Sequence, residues 1–177
     1  DTIAHALTWT WTLLAANPEV EARLHAEVAG ALATRLASAQ DVPRLTYTRS
    51  VLAEALRLFP PAWVIVRRAA ESYRCGGRQI PRGSLVVASP FVTHRDARFF
   101  PDPLMFSPER WLSPDQPPRL AYFPFGAGPR SCVGEGFAWM EGTLVLATLA
   151  GKWRLRSEGR AVEPSPRITL RPRGPVP

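Results

Sequence analysis

The sequence predicts a mainly α-helical fold with small β-sheets, on three observations. Val20, Leu24, Val28 and Leu32 recur every fourth residue, the spacing of one helix face. Two short β-branched runs, residues 64–66 and 84–88, flank Gly-Gly and Pro-Arg-Gly turn signals, as strands of a small sheet do. Residues 100–129 are proline-rich and carry no sustained period. An ordered loop of that length inside a domain is uncommon and is often functional.

In chain order, residues 1–15 begin polar and turn apolar, with Ile3, Leu7 and Leu14 near helical spacing. Asn17, Pro18 and Glu19 then read as a helix start. Asparagine caps, proline occupies the first turn and glutamate meets the dipole. Glu19 and Arg23 are expected to pair on the outer face of that helix. Asp41, Val42 and Pro43 break it. Another helix is expected near Thr48, with Leu52, Ala55, Leu56 and Phe59 on its apolar side, ending at Pro60 and Pro61. Residues 134–149 return to helical spacing, with Phe137, Met140, Leu144 and Thr148 as the inward face. Residues 153–155 and 168–170 alternate like edge strands.

Composition bounds the function. The 177 residues are 46% hydrophobic and 21% charged, which excludes a disordered chain and suits one domain or part of one. No stretch of twenty residues lacks both charge and proline, so no membrane segment is expected. No initiating Met or basic n-region marks a signal peptide, and a cytoplasmic location is expected. The chain opens already inside a helical pattern, which suggests a missing N-terminus. Net charge is +7, nearly all of it arginine, as in a basic docking face for an acidic protein partner. The arginines are scattered and no nucleic-acid motif surrounds them, which argues against nucleic acid. Cys75 and Cys132 are too few for a disulfide scaffold and fit a reducing setting. Cys75, beside the Gly-Gly turn, is expected to be structural.

Cys132 lies directly before the helical segment at Gly134. There the helix dipole and free backbone N–H groups favour thiolate over thiol, which a stable metal ligand requires. Gly128 lets the backbone turn tightly or lie against a flat ligand. Gly134 lets the helix start approach the same surface. Phe125 can cover the sulfur, and Arg130 suits a carboxylate at the ligand rim. Taken alone, a cysteine in a Gly-rich turn before a helix is more often an inert buried one.

The full spacing decides. Phe125, two residues, Gly128, three residues, Cys132, one residue, Gly134 resembles the haem-ligating signature of the cytochrome P450 family. Ala138 and Glu141 continue the likeness. So do Glu54 and Arg57, three apart on one helix, and the Pro108-Glu109-Arg110-Trp111 run, where Trp111 replaces the commoner Phe. The His94-Arg95-Asp96 and Phe100-Pro101-Asp102-Pro103 runs resemble the family's approach to its long loop, with His94 structural.

The resemblance implies that residues 1–177 are the C-terminal, haem-binding portion of a single cytochrome P450 domain, truncated within its long central helix. It implies haem b (iron protoporphyrin IX), with Cys132 as axial iron ligand and Phe125, Gly126, Gly128, Arg130 and Gly134 around it. Thiolate ligation favours O–O cleavage. The resemblance also implies an arginine that meets a haem propionate, for which Arg67, by its spacing to Ala69 and Glu71, is the better candidate and Arg68 the alternative. Asp1 and Thr2 correspond to an acid–alcohol pair that helps deliver protons to bound oxygen. Glu54, Arg57 and Arg110 lock the long loop and are not catalytic.

The implied activity is monooxygenation with O2 and reducing equivalents from NAD(P)H, through a ferredoxin or flavoprotein reductase. The implied substrate is an apolar small molecule such as a fatty acid or terpenoid, in a pocket lined by residues 61–65. A peroxygenase or isomerase, a haem-binding protein without turnover and an inert truncated fragment are the alternatives.

Overall fold

Alanine, threonine and leucine dominate the first helix, α1 (Thr2–Ala16), which buries Ala6, Trp9, Thr10, Trp11 and Leu14 in a computed structural model describing residues 2–118, 120–156 and 162–176. In α2 (Pro18–Leu32) all four period-four positions, Val20, Leu24, Val28 and Leu32, are buried. Pro18 opens the helix as expected, but Asn17 makes no side-chain cap. Its amide donates back to the Leu13 carbonyl at 2.7 Å, so it closes α1 instead of opening α2. Arg23 donates to Glu109 at 2.8 Å instead of to Glu19, because a 3-10 turn, Pro108–Trp111, brings Glu109 alongside.

After a 3-10 turn at Ala39–Arg44, α3 (Thr46–Leu58) begins two residues before the expected start, and Leu45 before it offers no side-chain cap. Glu27 of α2 serves instead. Its carboxylate accepts the backbone N–H groups of Tyr47 at 2.6 Å and Thr48 at 2.7 Å, and the Thr48 hydroxyl at 2.7 Å. This satisfies N–H groups that a helix start leaves orphaned. Every residue from 51 to 58 is buried, because α3 packs on α1, α2, α5 and the Pro108–Trp111 turn at once.

Among the described residues the strands pair into three two-stranded antiparallel sheets. β1 (Ile65–Arg68) pairs with β4 (Leu85–Ala88), with Ile65 opposite Ala88. β2 (Tyr73–Cys75) and β3 (Arg78–Ile80) form a hairpin around Gly76 and Gly77, both at positive φ. β5 (Pro164–Pro166) pairs with β6 (Leu170–Pro172). Cys75 is free and exposed in β2, so it packs no core and the structural reading is corrected. Residues 153–155 form no strand, and residues 168 and 169 lie in a turn before β6. Alternation over three residues is too short to specify pairing. A short helix, α4 (Pro90–Thr93), leads into the long loop.

The last helix, α5 (Glu135–Ala150), buries Gly142, Thr143, Leu146, Ala147 and Ala150. Phe137 and Met140 are exposed, which corrects the expected face. The helix is apolar nearly all round, so periodicity selects no side. Close approach does. A Cβ at Gly142 would stand 2.6 Å from Leu52 Cδ2 and 3.3 Å from Ile3 Cδ1, so the glycine lets α5 lie against α3 and α1. Among the described residues, no helix is long and apolar enough to cross a membrane.

Candidate functional site

The packing of α1 against α3 leaves a largely apolar cleft of about 310 Å³ between α1 and the loop before α5. Thr2, Ile3 and Ala6 of α1 line it together with Phe125, Gly126 and Cys132 of the loop. Arg67 and Arg130 both line it. The cleft therefore gathers Thr2, Arg67, Phe125, Gly126, Arg130 and Cys132 from the residues named by sequence. Asp1 lies outside the described residues. Arg68 turns away and donates to the Gly83 carbonyl at 3.0 Å. Of the segment expected to line the pocket, Pro61, Ala62 and Ile65 do so, whereas Trp63 and Val64 do not. The Trp63 indole N–H instead donates to the Arg167 carbonyl at 2.8 Å, clamping the β5–β6 turn.

Local backbone chemistry shapes the cysteine loop. Gly126 and Gly128 adopt φ of +79° and +74°, which side chains other than glycine's rarely tolerate. The 3-10 turn Gly128–Arg130 follows. The Cys132 N–H then donates to the Phe125 carbonyl at 2.9 Å. Cys132 is exposed, and a Cβ on Gly134 would stand 3.8 Å from its sulfur. The Phe125 ring packs edge-on to Trp139 with centroids 5.5 Å apart, so its carbonyl is what fixes Cys132.

Beneath the loop lies a buried ionic network. Glu54 and Arg57 are both fully buried and bond in parallel, Nε to Oε2 at 2.9 Å and Nη2 to Oε1 at 2.8 Å. The other Arg57 N–H groups reach the carbonyls of His94 and Pro103 at 2.7 Å and of Met105 at 3.0 Å. All five donors of the guanidinium are thus used. Glu54 also accepts the Ser107 N–H at 3.1 Å, Arg110 Nε at 3.4 Å and Trp111 Nε1 at 2.8 Å. A buried pair is tolerated only when satisfied in this way. The network pins the long loop at residues 94, 103, 105, 107, 110 and 111.

His94 is fully buried, and its Nε2 accepts the Phe123 N–H at 2.9 Å. Burial lowers its pKa to about 3. Arg95 beside it is pushed down to about 10, by burial first and then by the Arg57 charge, and stays protonated at neutral pH. The Tyr122 hydroxyl donates to the Ala53 carbonyl at 3.0 Å, and burial of that group raises its pKa well above the usual tyrosine range. Sequence reading missed the bonds of Glu27, Trp111 and Tyr122. For Trp111 a signal was present, since an indole offers an N–H that the commoner Phe lacks. Glu27 acts across about twenty residues and leaves no local signature. Among the described residues, no His, Cys, Asp and Glu group of three or more is placed to hold a metal.

A family model described as Cytochrome P450 matches residues 1–175. The chain is 49% identical over 173 residues to cyclooctatin synthase of Streptomyces melanosporofaciens, covering 96% of this chain and 38% of that protein. It is 43% identical to cyclooctat-9-en-7-ol 5-monooxygenase of the same organism, over 88% of this chain and 34% of that protein. It is 39% identical to pentalenene oxygenase of Streptomyces avermitilis, over 89% of this chain and 36% of that protein. The chain thus spans little more than a third of the length of these relatives.

Proposed function

The chain belongs to the cytochrome P450 family, and from that premise we propose that it is the haem-binding part of a haem-thiolate monooxygenase acting on an apolar small molecule. One observation carries the reading: an exposed cysteine sulfur on the wall of an apolar cleft, with two arginines on the same cleft. That donor set fits haem b. A sulfur suits the iron, a glycine-shaped backbone admits a flat ring, and guanidinium groups suit its carboxylates.

Bound there, haem with a thiolate ligand would supply activation of O2, so that one oxygen atom enters a substrate C–H bond and the other leaves as water. Cys132 would ligate the iron. Arg67 and Arg130 would pair with the propionates. Thr2, lining the same cleft, with Asp1 beside it in sequence, would pass protons into a pocket from which Ile3, Ala6 and Ile65 exclude water. Glu54, Arg57 and Arg110 would hold the loop that presents Cys132. Electrons from NAD(P)H would arrive through a ferredoxin or flavoprotein reductase, drawn to an arginine-rich surface. Two free thiols favour a cytoplasmic setting.

Two relatives are named for cyclooctat-9-en-7-ol and pentalenene, an unsaturated alcohol and an unsaturated hydrocarbon. With the apolar cleft lining, these names favour a terpenoid over a fatty acid. The test supplies the haem-loaded protein with such a hydrocarbon, O2 and a reduced partner. A product heavier by one oxygen atom, formed only with reductant, supports the reading. Product formed from peroxide alone would indicate a peroxygenase, and absence of product with any donor would indicate a binding protein.

A further inference from the structure

We propose that His94 is a positioning residue, tying the buried Glu54–Arg57 pair to the loop that presents Cys132. The inference rests on Cys132 being the haem ligand. A chain of hydrogen bonds links the two. Arg57 Nη1 donates to the His94 carbonyl at 2.7 Å. The His94 ring accepts the Phe123 N–H at 2.9 Å. The Phe123 carbonyl accepts Gly126 N–H at 3.0 Å, and the Phe125 carbonyl accepts Cys132 N–H at 2.9 Å. His94 thus touches the ionic network with its backbone and the cysteine loop with its side chain.

The ring is held for this bond. Tyr122 and Phe123 pack on it with centroids 5.1 and 5.3 Å away. Because Nε2 accepts, the proton sits on Nδ1, which faces the backbone of Arg57 and Leu56. The acceptor at Nε2 is what histidine contributes that an apolar ring would not. Burial keeps the ring neutral, so the acceptor persists across the working pH range.

The test uses the haem-loaded protein with His94→Phe, which fills the space without an acceptor, and His94→Gln, whose amide oxygen can accept in place of Nε2. The readouts are amide exchange at Phe123 and the rate at which the red-shifted Soret band of the reduced carbon monoxide complex decays to an ordinary one in mild denaturant. Both are taken where far-UV circular dichroism is unchanged. His94→Phe is expected to raise both rates about tenfold, the equilibrium weight of one orphaned buried N–H. His94→Gln is expected to stay within about threefold of the parent, since it restores the acceptor. Should His94→Phe not accumulate, His94→Asn, too short to reach Phe123, replaces it. Equal behaviour of the acceptor and non-acceptor variants overturns the proposal. A parent without the red-shifted band instead refutes ligation by Cys132.

Discussion

Replacing Arg57 by lysine keeps the charge and removes the fork, which separates the two contributions of that residue. The guanidinium spends five N–H donors on Glu54 and on the carbonyls of His94, Pro103 and Met105. An ammonium has three donors and no planar pair. At least two acceptors therefore lose their partner where no water replaces it. Each costs about 1–3 kcal/mol, and disrupting a buried ion pair costs about 3–5 kcal/mol. Arg57→Lys should lower the stability of the haem-loaded protein by about 3–5 kcal/mol. Denaturant titration measures it as a lower midpoint at unchanged slope. A loss under about 1 kcal/mol would refute the argument, because the charge alone would then hold the loop.

Trp111→Phe removes one hydrogen bond to the Glu54 carboxylate and keeps the aromatic packing, so a loss of about 1–3 kcal/mol is expected in the same titration. Gly142→Ala places a methyl 2.6 Å from Leu52 Cδ2; thermal unfolding should show a loss of about 1–3 kcal/mol from overpacking, whereas a gain would mean α5 can move away. The pH dependence follows from His94, whose folded pKa is about 3 against an ordinary 6.5. Below pH 6.5 the unfolded chain binds a proton that the folded one refuses. Stability is then intact above 6.5 and falls by about 1.4 kcal/mol per pH unit as pH drops toward 3. His94→Gln should remove that component of the slope.

The elements were legible where a local pattern is also the tertiary one. The period of Val20, Leu24, Val28 and Leu32 matches the buried face of α2, and the two Gly-bearing turns lie where β2–β3 and β1–β4 need them. Legibility failed where a distant group decided. Glu27 caps α3 from another helix, Glu109 takes Arg23 from the long loop, and Gly142 chooses the buried face of α5. The candidate site was read from residue spacing, and the structure gathers most of the named residues on one cleft. Trp63 misled because an apolar residue beside a pocket can turn its indole to a backbone carbonyl.

The most direct test of the central claim is the carbon monoxide difference spectrum of the reduced, haem-loaded protein beside its Cys132→His variant. Thiolate ligation by Cys132 predicts a strongly red-shifted Soret band in the parent that the variant loses. An ordinary imidazole-type band in the parent, or a red-shifted band that survives in the variant, would contradict it.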